Sequence, residues 1–128
     1  PFRQTTEDDY YQSFIDGHFD FSREFLYLRD DQLIGIGMVD MTDRVQSSIY
    51  FIHDPQWRDL GPGTFSVLSE IEVGQAASRD YLYMGYYIRD SGSMNYKNRC
   101  RTHELLRDYI SDSDLPVWEK PDSDMESQ

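Results

Sequence analysis

Apolar and polar positions recur with two different periods along this chain, and each change of period marks an element. Thr5-Thr6-Glu7-Asp8-Asp9 sets a candidate N-cap, Thr6, and a run of acids ahead of Tyr10, Tyr11, Phe14 and Ile15. The helical spacing, the acids at the positive end of the helix dipole and the stop at Gly17 predict a helix over residues 7–16. Residues 24–28 (EFLYL) and 33–39 (LIGIGMV) read as strands flanking the turn Arg29-Asp30-Asp31-Gln32, an antiparallel hairpin. Gly35 and Gly37 fall on one face of the second strand, which suits close approach of a backbone or ligand, or packing beneath a bulky helix. Residues 47–53 (SSIYFIH) form the next strand, closed by Asp54-Pro55. A loop containing Trp57 leads through Arg58-Asp59-Leu60-Gly61-Pro62-Gly63 into a helix from residue 64 to about 77. Its apolar side is Phe65, Leu68 and Ile71, with Glu70 and Glu72 flanking. Residues 81–88, YLYMGYYI, are nearly continuous in apolar character, as in a strand buried on both faces. A strand-helix-strand unit of this length implies a right-handed crossover and parallel pairing. A short helical pattern follows near Leu105 and Leu106, and Leu115-Pro116-Val117-Trp118 reads as a final edge strand. The prediction is one α/β domain over residues 1–120, followed by an acidic tail, 121–128, too polar to fold.

Composition narrows the function classes. The chain has 128 residues and a net charge of −12, which argues against generic polyanion binding. The one net-positive block is residues 88–110, with five basic and three acidic groups, directly after the apolar run. No apolar run nears the roughly 20 residues that cross a bilayer. A single cysteine, Cys100, excludes an internal disulfide and a multi-cysteine metal site within these residues, and fits a reducing, cytoplasmic setting. The start at Pro1 suits a fragment or a processed product.

Several residues carry candidate chemistry. Arg58-x-x-Gly61-x-Gly63, between a strand and a helix, is the arrangement of a phosphate-binding turn, although Pro62 removes one N–H donor. It also reads as a plain Gly-Pro-Gly turn that starts a helix. Asp40 leaves the glycine-bearing strand and is a candidate acid/base or amine-orienting group. Glu70 and Glu72 are weaker candidates, better explained as a solvated helix face. Lys97, Arg99 and Arg101 would share a face on an extended backbone and suit a carboxylate or phosphate, or else form a solvated basic loop. Cys100 lies among these cations, which lower a thiol pKa, with His103 three residues on; a plain half-buried thiol is the stronger reading. His18, His53 and His103 lack ligand spacing, so no metal is expected.

The run Met94-Asn95-Tyr96-Lys97-Asn98-Arg99-Cys100-Arg101-Thr102-His103-Glu104-Leu105-Leu106 resembles the M-x-Y-K-x-x-x-R-P-x-E-L signature of aminoacyl-tRNA–protein transferases. These are the eukaryotic arginyltransferases and their bacterial leucyl-transferring relatives. Val39-Asp40 and the stretch from Ser47 to Pro55 are similar to that family's V-D…L-S-S-V-Y-F-x-x-D-P, and Leu60-Gly61 and Val117-Trp118 also agree. The likeness covers about residues 6–118. Thr102 stands where a proline is usual, Cys100 where an aromatic is common, and the family's cysteine-bearing N-terminal domain is not among these residues.

The resemblance implies the fold of GCN5-related acetyltransferases (GNAT): a mixed, mostly antiparallel sheet flanked by helices, working without a cofactor. It implies transfer of Arg or Leu from aminoacyl-tRNA to proteins with N-terminal Asp or Glu, marking them for degradation, with this chain as the C-terminal catalytic half. On that reading Lys97, Arg99 and Arg101 meet the acidic acceptor or the tRNA phosphate, and Asp40 orients or deprotonates the amine. Tyr96 belongs to the substrate-binding set with them. Tyr83 or Tyr86 lines the aminoacyl or adenosine pocket, and Arg58, Gly61 and Gly63 serve the donor end. An acetyl-CoA-dependent N-acetyltransferase and a non-catalytic module binding acidic N-termini are the alternatives.

Overall fold

The computed structural model describes residues 6–16, 19–88, 90–92 and 95–121, which divide at Gly85/Tyr86 into two compact units. Gly17, His18 and residues 122–128, hence the expected helix stop and most of the acidic tail, lie outside the described residues.

The first unit opens with α1, Glu7–Tyr10, continued as a π-helical turn over Tyr11–Ile15. Thr6 caps it as the sequence leads one to expect. Its Oγ1 accepts from the Asp9 N–H at 3.1 Å while Asp9 Oδ2 accepts from the Thr6 N–H at 3.1 Å, a reciprocal capping box. The hairpin is β1, Ser22–Arg29, and β2, Gln32–Met41. Asp30 and Asp31 form its two-residue turn, both with positive φ (50° and 62°), as the right-handed twist of a tight hairpin demands. β3, Val45–His53, runs antiparallel to β2. A 3-10 helix, Pro55–Leu60, and α2, Pro62–Ala76, then lead to β4, Tyr81–Tyr83, which pairs parallel with β3. The sheet order is β1-β2-β3-β4, mixed and mostly antiparallel.

Helices cover both faces of this sheet. On one, the Tyr10 hydroxyl reaches Met38 Sδ (3.6 Å) and Glu24 (3.4 Å), and the Phe14 ring stacks on Tyr50 at 5.3 Å. On the other, α2 lies over Tyr27, Gln46 and Ser48. The register slips by one residue between Met38 and Val39, where Ile49 is the extra residue of β3. This bulge turns Gln46 and Ser48 toward the helix that Phe51 also faces. Gly35 and Gly37 are explained by ring packing rather than by a ligand. A Cβ at Gly35 would stand 3.3 Å from the Phe51 ring, and one at Gly37 3.5 Å from the Tyr27 ring.

Three expectations are corrected. α2 does not bury Phe65, Leu68 and Ile71: Phe65 and Leu68 are 61% and 57% exposed, and the buried residues are Ser66, Val67, Glu70 and Gly74. The Tyr27 and Phe51 rings, in edge contact at 5.7 Å, already fill the floor below, so the helix presents its small side chains there. Residues 81–88 are not a strand buried on both faces. β4 is a three-residue edge strand with Tyr81 and Tyr83 exposed, and Gly85 (φ 74°) takes the backbone out of the extended region. In the second unit Leu105–Leu106 is β5, paired antiparallel with β6, Trp118–Glu119, where a helix was expected. The Arg107–Glu119 ion pair closes that ribbon. Among the described residues no helix is long and apolar enough to cross a membrane.

Candidate functional site

The hairpin, β3 and β4 bring one set of polar residues into line. Ser22, Asp40, Ser47 and Tyr83 are successive partners across the four strands. Directly opposed residues share a face, so with a strand spacing of about 4.8 Å the Asp40 and Tyr83 backbones stand about 10 Å apart. Because Ser48 points to α2, this row lies on the other face. Asp40 is half-buried, and the Ser22 hydroxyl donates to its Oδ1 at 2.7 Å, fixing its orientation. A cleft of about 340 Å³ opens at the same end of the sheet, lined by Asp20, Phe21, Arg23, Met41, Thr42, Asp43 and Arg79; no sequence-predicted site residue lines it.

The glycine turn lies at the other end. Gly35 pairs with His53, whereas Asp40 pairs with Ser47, so six residues of β3, about 20 Å, separate Asp40 from the strand end that leads to Arg58. The structure therefore does not bring Asp40 to the Arg58–Gly63 turn. Asp54 caps the Pro55–Leu60 3-10 helix by accepting from the Gln56 N–H at 2.9 Å. Gly61, in the left-handed region at φ 66°, both ends that helix and starts α2. No side chain caps the α2 N-terminus. Gly61 donates its own N–H to the Arg58 carbonyl (3.2 Å) and Pro62 has none to give. Gly63 and Thr64 are left as the first-turn amides that an anion can meet. Arg58 is exposed beside them.

The second unit holds the basic residues, but not as a common face. Asn95–Arg99 is a 3-10 helix with three residues per turn, so Lys97 and Arg99, two positions apart, point in different directions. The Lys97 ammonium is half-buried and donates to the Tyr86 carbonyl at 2.9 Å; burial pulls its pKa below the usual lysine range. Tyr86 is 68% exposed and its ring lies 6.2 Å from that of Tyr109. Tyr96 is half-buried, while Arg99 and Arg101 are exposed. Cys100 is not activated: burial raises its thiol pKa, and His103 spends Nδ1 on the Cys100 backbone carbonyl at 2.7 Å. Thr102 holds φ 60°, which a proline ring cannot reach, so its departure from the family pattern has a backbone counterpart. Among the described residues no cluster of three or more His, Cys, Asp or Glu is arranged to hold a metal.

Glu72 is solvated, as its pattern implies, but Glu70 is not. It is fully buried beneath α2. Its Oε1 accepts from Ser48 Oγ (3.2 Å) and Ser66 Oγ (3.4 Å), while Oε2 has no hydrogen-bond partner. Gln46, also fully buried, donates to the Glu70 backbone carbonyl at 2.9 Å. Burial raises the Glu70 carboxyl pKa against the opposing effect of the two serines. One signal for this was present in the sequence: Ser66, Glu70 and Gly74 repeat every fourth residue, a stripe of small groups around one acid.

The family described as "Arginine-tRNA-protein transferase, C terminus" matches residues 2–107. The chain is 36% identical over 115 residues to the aspartate/glutamate leucyltransferase of Helicobacter hepaticus, covering 90% of this chain and 48% of that protein. It is 32% identical over 98 residues to a protein of the same name from Campylobacter jejuni, covering 77% and 41%. It is 39% identical over 85 residues to arginyl-tRNA–protein transferase 1 of Dictyostelium discoideum, covering 62% and 14%. The chain thus spans about half or less of these relatives.

Proposed function

The chain belongs to the arginine-tRNA-protein transferase C-terminal family, and from that premise we propose that it is the catalytic half of an enzyme moving Arg or Leu from aminoacyl-tRNA to an N-terminal Asp or Glu. The observation that carries this reading is the match over residues 2–107, which includes the Asp40 row, the glycine turn and the basic segment together. The mixed sheet, with an uncapped helix following a left-handed glycine, supports a GNAT-like donor end that accepts the charged terminus of tRNA.

The chemistry is aminolysis of an ester. The acceptor's α-amine attacks the aminoacyl carbonyl, a C–N bond forms, the bond to the terminal ribose oxygen breaks, and the amine's proton ends on the released hydroxyl. The ester is already activated, so alignment and charge stabilisation suffice and no covalent enzyme intermediate is needed. Asp40, held by Ser22, is assigned to orient the amine, with Tyr83 in the same row. Gly63 and Thr64 amides with Arg58 are assigned to the donor phosphates. Arg99 and Arg101 are assigned to the acceptor's carboxylate or to tRNA, while Lys97 and Tyr96 shape the segment that carries them. The enzyme is cytoplasmic, the proteins it modifies are destined for degradation, and an N-terminal domain completes it. The test supplies charged tRNAs and peptides beginning with Asp, Glu or Ala. Labelling of the acidic peptides alone is expected; equal or absent labelling refutes the proposal. Acetyl-CoA at millimolar concentration should leave the melting temperature unchanged.

A further inference from the structure

Glu70 is a buried acid with one satisfied and one orphan oxygen. Both serine hydroxyls donate to Glu70 Oε1, while Oε2 is buried with no partner, so an ionised carboxylate would be compensated on one oxygen only. No cation among the described residues pairs with it. Other titratable groups near this layer do not supply one. Tyr27 comes from β1 and donates to Ser66 (3.3 Å to Oγ). Arg79 reaches the site only through Gln46 Oε1, at 3.5 Å, and otherwise holds the Thr42 carbonyl. His53 lies beyond Phe51 on β3 with Nδ1 on the Asp54 carbonyl, and β2 contributes glycines and Val39. An ionised carboxylate here would be desolvated and uncompensated.

We propose that Glu70 is a positioning residue for the transfer reaction: its protonated carboxyl, seated on Ser48 and Ser66, locks α2 to β3 and so fixes the Gly61 turn at the start of that helix. Ser66 lies one turn of α2 beyond the first helical residues, so the latch acts near the end that carries Gly63 and Thr64. Loss of the proton leaves a desolvated charge with no counter-ion, which favours parting of the helix from its floor and moves the donor turn. The catalytic half of this inference rests on the proposed transferase function; the latch itself does not.

Sign follows from linkage. A carboxyl whose folded pKa is raised contributes full stability below its unfolded value, near 4.5, and loses it as pH climbs through the folded value. The experiment measures melting temperature from pH 5 to 9 for the wild type, Glu70→Gln and Ser48→Ala, with transfer kinetics alongside. Glu70→Gln keeps the neutral shape, so its melting temperature should fall less than that of the wild type as pH rises, by up to ~10-fold in unfolding constant per pH unit. In transfer it should retain kcat at pH 7 and flatten the alkaline decline, whereas Ser48→Ala raises KM for aminoacyl-tRNA and leaves kcat near wild type. A Glu70→Gln melting profile parallel to that of the wild type overturns the latch. Equal loss of kcat in both variants without a KM change overturns the positioning role. Should the wild type transfer nothing, the proposed function fails while the melting arm still decides the latch.

Discussion

Gly74 sits where a methyl group has no room. An added Cβ would stand 3.0 Å from Gln46 Oε1 and 3.3 Å from its Cδ. A flexible amide normally swings aside, but this one is fully buried, donates to the Glu70 carbonyl and accepts from Arg79. In Gly74→Ala, alanine's helix preference recovers about 1 kcal/mol. Overpacking costs about 1–3 kcal/mol, and displacing Gln46 strands a buried amide at about 1–3 kcal/mol. The balance is a loss of about 1–5 kcal/mol, or about 4–19 °C for a chain of this size. Thermal unfolding followed by circular dichroism reads it directly. The same substitution in a Gln46→Ala background should reverse sign and stabilise by up to about 1 kcal/mol, because the obstacle is gone. An unchanged or raised melting temperature in the single variant, or the same loss in both backgrounds, refutes the reasoning.

Other outcomes follow from single contacts. Gly61→Ala meets nothing within 4 Å but places a side chain at φ 66°, so it should cost about 1–2 kcal/mol in stability and weaken use of aminoacyl-tRNA at limiting concentration. Thr6→Ala removes the capping box and should lower stability by about 1 kcal/mol in urea titration, with peptide labelling unaffected. Cys100→Ser should leave transfer unchanged, and alkylating reagents at neutral pH should react slowly, because burial keeps the thiol protonated. Arg99→Ala, at an exposed position, should change stability by less than about 0.5 kcal/mol while reducing labelling of acidic peptides.

The hairpin, the α1 cap and the β3-α2-β4 order were legible because each rests on a local rule: alternation, a Thr–Asp cap, a proline after a strand. The inward side of α2 was not, because hydrophobic spacing ranked Phe65 and Leu68 above Ser66 and Gly74. Only the meeting of the Tyr27 and Phe51 rings, a long-range contact, shows that the floor was already full. Tyrosine misled in the same way over residues 81–88, where rings count as apolar although their hydroxyls accept an exposed edge; Gly85 was the visible warning. In the site, Asp40 was found as a residue but its row was not, since Ser22, Ser47 and Tyr83 meet it only through sheet register. The spacing of Lys97, Arg99 and Arg101 misled because it presumed an extended backbone, whereas Asn95–Arg99 winds at three residues per turn.

The extra residue in β3 divides the strand's labour. Below it Gln46 and Ser48, and above it Phe51, all address α2, although simple alternation would send one group to the opposite side. Ile49 thus works as a phase shifter, giving one helix a polar seat and an aromatic seat from a single strand. Pairing Ile49 with Val39, with no bulge, would exchange the two faces below it, turning Ser47 toward Glu70 and Ser48 into the row beside Asp40. The two adjacent serines would trade roles through a change of register, without any change of chemistry.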